Sequence, residues 1–418
     1  MIKKTEIDRL CRRVKEASRR LALIDSKVKT RAINSMGKAL IRNASHILRA
    51  NQRDCAAAKG KGLSAALIER LSLNSSKILG MANSLFEIAA LKDPVGRILE
   101  TRKRPSGLLI EKVTVPIGVI LIIYESRPNV TSDCAGLCLK SSNAVILRGG
   151  SEARNSNVAI FNVLKRDAVK AGLPKDSLAL IADADRSIVE MLLEEAGLID
   201  LVIPRGGESL IAEVSKRSRI PVIKHYKGVC HTYVDESADL RMAEEICFNA
   251  KVQRPGVCNA METMLVNSRI AEKFLPGMIM RFKKAGVEIR GCRQTRAIVP
   301  GVKAATEADW YTEYLDLILS VRVVRDVEEA IRHIMKYGSY HSDAIVTRNE
   351  KNAERFLREV DSAAVYVNAS TRFTDGGQFG KGAEMGISTD KIHARGPMGV
   401  EELVSYKYVV RGNGQVRK

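Results

Sequence analysis

Four short apolar runs constrain this chain more than any other feature: VILIIYE from Val119, AVILRGG from Ala144, LALIAD from Leu178 and DLVIPRGG from Asp200. A strand exposed on one face alternates apolar and polar side chains, whereas a strand covered on both faces reads as a continuous apolar run. The stretches between the runs suit crossover helices, so this region is predicted to be a doubly wound, parallel α/β sheet. A ligand then belongs at the carboxyl ends of those strands. From Tyr233 onward the runs METMLV, AIVP, LILSV and AAVYV predict a second α/β domain. Length agrees, because 418 residues exceed what one hydrophobic core usually supports.

Before the first run, Thr5 to Leu91 has apolar residues at three- and four-residue spacing and no proline, which predicts about three amphipathic helices. The segment GRILETRKRPSGLLIEKVTVP follows, with two partly alternating stretches around Pro105-Ser106-Gly107, and reads as a β-hairpin suited to pairing with another subunit. No period of 20 to 50 residues recurs, which excludes a solenoid.

Composition narrows the function. Lys and Arg exceed Asp and Glu by 20, a field that concentrates anionic ligands such as dinucleotides and phosphorylated metabolites. The excess is spread along the chain, and with 5% aromatics and no base-stacking cluster a nucleic-acid partner is not expected. No apolar run reaches the roughly 20 residues of a membrane span, and the charged start lacks the core of a secretion signal, so a cytoplasmic protein without a membrane partner is expected. The eight cysteines are scattered without Cys-x-x-Cys pairs, which favours reduced thiols over a metal site or disulfide scaffold. Cys134 and Cys138 share a helix face without a histidine and read as core. His225 and His231 flank Cys230, but a zinc site there lacks a fourth ligand. No metal is expected.

Two runs end alike, in Arg148-Gly149-Gly150-Ser151-Glu152 and in Arg205-Gly206-Gly207-Glu208-Ser209. Glycines at a strand-to-helix junction let backbone N–H groups approach an anion, and the helix terminus and arginine add positive potential. Neither is the G-x-G-x-x-G fingerprint, and a plain turn explains each equally well. In NAKVQRPGVCNAMETMLV, Cys258 follows the turn Arg254-Pro255-Gly256 and precedes an apolar run. A thiol at an exposed junction near a cation becomes a nucleophilic thiolate, whereas most cysteines are small buried hydrophobes. Asn129 in YESRPNVT can donate to an oxyanion or cap the helix that follows.

These stretches resemble the γ-glutamyl phosphate reductase family, a proline-biosynthesis branch of the aldehyde dehydrogenase superfamily, over nearly the whole chain. The most specific are YESRPNVT, NAVILRGGSEA, NAKVQRPGVCNAMET, YGSYHSDAIVT, VYVNASTRFTDGGQFGKGAEMGIS, HARGPMG and EELVSYKYVVRGNGQ. The resemblance implies an aldehyde dehydrogenase-like α/β fold: a Rossmann-type NADP-binding domain (1–97 and 117–224), an α/β catalytic domain (225–388), and a small β oligomerisation element (98–116 and 389–418) that makes a homo-oligomer. It implies NADPH-dependent reduction of L-glutamyl 5-phosphate to L-glutamate 5-semialdehyde, with Cys258 as nucleophile and Asn129 in the oxyanion hole. Arg148, the Gly149-Gly150-Ser151-Glu152 turn, Arg205, Gly206 and Gly207 are expected to hold NADPH, and Glu313 the nicotinamide ribose. Arg254 and the loop Ser370-Thr371-Arg372-Phe373 are expected to hold the substrate, with Arg372 matching a carboxylate as a planar fork.

A γ-glutamyl kinase that delivers the unstable acyl phosphate is the expected partner. Hydrolytic relatives carry a glutamate that activates water where this chain has His225, a departure that suits a reductase. Ser142 and Val229 also depart from the family, where glycine and asparagine are expected, which touches the cofactor turn and the surroundings of the thiol.

Overall fold

The computed structural model describes residues 3–183, 185–224 and 227–417, apart from the side chains of residues 65 and 66. Its contacts divide the chain into two units, one of Met1–Lys224, Gly380–Gly386 and Met398–Lys418, the other of His225–Phe379 and Ile387–Pro397.

The first unit opens with five helices rather than three: α1 (Lys4–Leu21), α2 (Ser26–Arg42), α3 (Ala44–Gly60), α4 (Ala65–Leu71) and α5 (Ser75–Ala90). Capping residues, not prolines, make the breaks. Asp25, Ser64 and Asn74 each accept a hydrogen bond from a backbone N–H of the first turn they precede, satisfying donors that a helix start leaves open. Ile7, Cys11 and Val14 on α1 pack with Val119, Leu121 and Ile123. The expected hairpin is β1 (Ile98–Lys103) and β2 (Leu109–Pro116), with Gly107 turning the chain at φ +87°.

The four apolar runs form the strands β3 (Val119–Tyr124), β4 (Ala144–Gly149), β5 (Leu178–Leu180) and β6 (Leu201–Arg205), all parallel in the order β5-β4-β3-β6. Every residue of β3 is buried. Helices α6 (Val130–Lys140), α7 (Arg154–Lys170), α8 (Ser187–Leu193) and α9 (Glu208–Arg217) complete the double winding. The strand order reverses direction at β3, so the crevice between β3 and β6 is the topological switch point where ligands of such sheets bind. Ser142 lies in the turn before β4, at the opposite end of the strand from the glycine turn at Gly149-Gly150. It takes the left-handed φ of +59° that glycine adopts freely, and its hydroxyl meets Lys29 Nζ at 2.7 Å.

The second unit is a seven-stranded parallel sheet: β7 (Cys230–Val234), β8 (Met261–Asn267), β9 (Glu288–Gly291), β10 (Lys303–Ala304), β11 (Ile318–Val324), β12 (Ser342–Val346) and β13 (Ala364–Val367), in the order β10-β9-β11-β8-β7-β12-β13. Helix α10 (Leu240–Val252) connects β7 to β8. Val234, Met264 and Val266 face one core, Tyr233 and Leu265 the other, so neighbouring residues of a strand are buried on opposite sides. The run AIVP is not a strand; it falls at the end of the helix Arg293–Ile298, whose Ile298 packs on the first of these cores. A four-residue apolar run carries no period that separates strand from helix.

The final strand, β14 (Val404–Arg411), pairs antiparallel with β2 to give the sheet β1-β2-β14. It leaves Tyr406, Tyr408 and Val410 exposed. Among the described residues, no helix is long and apolar enough to cross a membrane.

Removing residues 404–418 strips β2 of one neighbour along its whole length and leaves an open edge. The expected result is a shift toward aggregates or smaller species in light scattering; an unchanged, monodisperse particle would contradict it. A second expectation concerns His333, buried against Trp310, Tyr337 and His231. Burial first, and then the neighbouring His231, push its pKa down to about 2, so it stays neutral in the fold but takes a proton in the unfolded chain below its ordinary value of 6.5. Below that pH the unfolded state binds more protons, and this residue removes roughly 1.4 kcal/mol of stability per pH unit. In His333→Gln the fall of the unfolding free energy between pH 6.5 and 4, measured by denaturant titration, should be shallower by that slope.

Candidate active site

In the first unit, three loops leave the carboxyl ends of β3, β4 and β6. The β3 loop begins with Glu125, whose backbone N–H bonds Arg205 O at 3.1 Å, and Ser126, at a left-handed φ of +41°. Ser126 donates its backbone N–H and hydroxyl to Glu152 Oε1 at 2.6 and 2.8 Å, tying this loop to the β4 loop. Glu125 Oε2 accepts the Gly207 N–H at 2.9 Å, so a carboxylate already sits at the start of α9. A Cβ on Gly206 would lie 2.4 Å from that carboxylate. Arg148 is half-buried at the end of β4; burial lowers its pKa and the Glu152 charge opposes this.

Gly149 has a packing reason to be glycine. A Cβ there would stand 2.1 Å from Asn157 Nδ2 and 3.1 Å from the Tyr124 ring. Beneath it, Thr131 Oγ1 links the Tyr124 hydroxyl at 2.7 Å to Asn157 Oδ1 at 3.2 Å. Gly150 precedes a single helical turn, Ser151–Ala153, whose Ser151 is exposed.

Asn129 starts α6 without capping it: its side chain bonds no backbone N–H of the first turn. It opens instead on a cavity of about 230 Å³ at the switch point, lined also by Ser84, Arg127, Asp133, Arg205 and residues 383–385. Asn129 Nδ2 donates to Asp133 Oδ2 at 3.1 Å, and Ser84 Oγ donates to Asp133 Oδ1 at 2.8 Å. Burial raises the Asp133 pKa, while these two hydrogen bonds and the Arg205 charge favour its ionised form. Sequence reasoning missed Asp133, Ser84 and Glu125, and for Ser84 no local signal exists, since it lies 49 residues from its partner.

In the second unit, Cys258 sits in the turn between α10 and β8. Five of the eight cysteines are buried, leaving Cys55, Cys258 and Cys292 part-exposed. The sulfurs of Cys55 and Cys292 are engaged by Asn51 and Ser72, and by Thr295 and Val323. Among the described residues, the Cys258 sulfur has no hydrogen-bond partner. By contrast, burial pushes the Cys134 thiol up to about 12 and that of Cys138 well above its ordinary value, as inert core residues.

The Cys258 backbone is held from below. Cys230 Sγ donates to Cys258 O at 3.2 Å, and Gly228 comes so close that a Cβ would stand 1.9 Å from that oxygen. Asn259 fixes the turn to the 370–374 loop: its Nδ2 donates to Thr374 O at 2.8 Å, and its carbonyl accepts from Thr371 Oγ1 at 2.7 Å. Ser370 Oγ accepts the Arg372 N–H at 3.3 Å, so the Ser370 and Thr371 hydroxyls both engage backbone, while Thr374 Oγ1 meets Ser342 Oγ and the Tyr366 hydroxyl. Arg372 bonds Gln253 Oε1 at 2.8 Å and Asn259 Oδ1; burial and then Arg254 depress its pKa, while Cys258 is among the groups raising it. Phe373, next in the loop, is half-exposed.

Glu313 lies in the loop before β11, half-buried. The next turn of that loop is anchored where Leu315 N–H donates to Glu262 Oε1 at 3.1 Å. Glu262 in turn pairs with Lys251 at 2.6 Å, both fully buried, and burial raises the Glu262 pKa to about 7 and lowers that of Lys251. His231 is committed to Asp343 at 2.9 Å, Val229 is buried with its N–H on Ser339 Oγ, and His225 lies outside the described residues. Among the described residues no cluster of three or more His, Cys, Asp or Glu could hold a metal.

The family model for the aldehyde dehydrogenase family matches residues 1–297. A gamma-glutamyl phosphate reductase of Caldanaerobacter subterraneus subsp. tengcongensis is 58% identical over 413 residues, 99% of this chain and 100% of the relative. The crystal structure of gamma-glutamyl phosphate reductase from Thermotoga maritima superposes with a TM-score of 0.97 at 48% identity, covering 99% of this chain and 100% of that one. An acetylating aldehyde dehydrogenase from Geobacillus thermoglucosidasius, at 19% identity, TM-score 0.71 and coverage of 99% and 98%, shares the fold.

The close approach of Gly228 yields a direct expectation. Gly228→Ala should cost about 1–3 kcal/mol or more, because the obstacle is rigid backbone rather than a movable side chain. It should also change the alkylation rate of Cys258 by iodoacetamide; an unaltered melting temperature and rate would contradict this packing.

Proposed function

The chain belongs to the aldehyde dehydrogenase family, in its gamma-glutamyl phosphate reductase branch, and we propose that it reduces L-glutamyl 5-phosphate to L-glutamate 5-semialdehyde and phosphate with NADPH, in proline biosynthesis. The observation that carries the reading is Cys258: a part-exposed thiol whose sulfur has no hydrogen-bond partner among the described residues, in a turn whose next residue, Asn259, is bonded to Arg372.

In this reading the Cys258 thiolate attacks the acyl carbon and the carbonyl electrons move to oxygen. The Asn129 amide and the Cys258 backbone N–H stabilise that oxyanion. Its collapse expels phosphate and leaves a thioester on Cys258. NADPH, when bound, supplies the hydride that converts the thioester to the aldehyde and frees the thiolate. Arg148, with the loop ends Gly149 to Glu152 and Arg205 to Gly207 at the carboxyl ends of β4 and β6, would hold the dinucleotide, the half-buried arginine facing its phosphates and the Gly207 N–H exchanging the Glu125 carboxylate for one of them. Glu313 takes the nicotinamide ribose. Arg372 and Arg254 hold the substrate's anionic groups, with Ser370, Thr371 and Phe373 shaping the loop.

Acyl phosphates hydrolyse in water, so a γ-glutamyl kinase is the natural supplier of substrate. The exposed β1-β2-β14 sheet, carrying Tyr406, Tyr408 and Val410, fits a contact with a second copy of the chain.

The test runs the reaction backward, as phosphate- and NADP-dependent oxidation of glutamate 5-semialdehyde. Cys258→Ala should abolish turnover and leave NADP binding intact, and Asn129→Ala should raise the barrier by about 2.7–4 kcal/mol, chiefly in kcat. Appreciable turnover in Cys258→Ala would overturn the covalent mechanism.

A further inference from the structure

At the switch point of the first unit, Asn129 is exposed on the cavity wall and makes a single side-chain hydrogen bond among the described residues, to Asp133. An asparagine side chain has two chemically opposite ends of nearly equal shape, an N–H₂ that donates and a carbonyl that only accepts. A half-turn about its last torsion exchanges them, and the broad two-fold profile of that torsion does little to choose. Facing an oxyanion, one end stabilises and the other repels. Something outside the residue has to make the choice.

We propose that Asp133 makes it: clamped by Ser84, the Asp133 carboxylate accepts one N–H of Asn129 and so leaves the second N–H of the same amide as the donor to the reacting oxygen. A carboxylate only accepts, so it selects the N–H₂ end and rejects the carbonyl. Asp133 and Asn129 are four apart on α6, the spacing that brings side chains together on one helix face. The Ser84 hydroxyl, reaching across from α5, occupies the other oxygen at 2.8 Å and fixes the plane of the carboxylate. Burial raises the Asp133 pKa, and the Ser84 and Asn129 hydrogen bonds, with Arg205 on the same cavity wall, oppose that rise by favouring the carboxylate.

The ordinary alternative is an acidic residue in the first turn of a helix that complements its dipole. That role needs no partner on α5 and no amide at position 129. Asp133 is thus a positioning residue, acting through Asn129 and touching no reacting atom.

The proposal rests on Asn129 as the oxyanion donor, and a double-mutant cycle separates the two. The enzyme with its cofactor is assayed as wild type, Asn129→Ala, Asp133→Asn and the double variant, with melting temperature and NADP affinity as checks on the fold. Asp133→Asn has the same shape but offers the amide no fixed preference, and kcat should fall about 10²-fold, the effect of displacing a catalytic donor by about an ångström. KM for the semialdehyde should stay within about twofold, and the double variant should turn over no more slowly than Asn129→Ala, since the two losses are one interaction. Ser84→Ala, removed from the cavity's chemistry by one more step, should lose less and again nothing in the Asn129→Ala background; if Asp133→Asn does not fold, this arm decides.

A wild-type kcat in Asp133→Asn, or losses that multiply in the double variant, would make Asp133 structural and overturn the proposal. A wild-type kcat in Asn129→Ala would instead bring down the oxyanion assignment itself, and this inference with it.

Discussion

Everything here depends on parallel strands buried on both faces. Their backbone groups are consumed by the neighbouring strands and their side chains by the two cores, as in β3, where all six residues are buried. Polar chemistry is expelled to the strand ends. In the first unit it collects at the carboxyl ends, where Asn129, Arg148 and Arg205 stand. The second unit uses the other end: Cys258 precedes β8 and Gly228 precedes β7, so the thiol lies at the amino ends of its strands. The 370–374 loop, although it follows β13, folds back to the same end, with Thr374 bonded to Ser342 at the start of β12.

That reversal explains much of what the sequence did and did not disclose. Strands β3 to β6 were legible because double burial leaves an unbroken apolar run. Strands β7 and β12 were not picked out, because they carry His231, Thr232, Ser342 and Asp343, all buried. Polar residues can occupy a sheet interior when they find partners there, as the His231 Nδ1 does in Asp343 across the β7–β12 pairing. Their meaning is visible only once the strands are side by side. The run AIVP failed for the opposite reason: it is apolar but too short to carry a period.

The site shows the same division. Cys258, the two Arg-Gly-Gly turns and Asn129 stand at junctions that punctuation marks out, through Pro128, Pro255 and the glycines. The groups that hold them are remote in sequence: Ser84 for Asp133, Cys230 and Gly228 for Cys258, Thr371 and Thr374 for Asn259. Even the glycines are partly about neighbours, since Gly149 makes room for Asn157 and Tyr124 rather than for a ligand alone. Local chemistry thus names the actors, and long-range packing fixes what each can do.

The pairing of β14 with β2 also sets a timetable. Strand β2 ends at Pro116 and β14 begins at Val404, while the second unit between them is built mainly from one uninterrupted stretch. On a ribosome adding about 5–20 residues per second, roughly 15–60 s separate the two strands. Throughout that interval the second unit can emerge and close on itself, whereas β2 has only β1 beside it. The nascent chain therefore carries a half-finished sheet for most of its synthesis, and chaperones or a neighbouring nascent copy meet that edge before its own partner does.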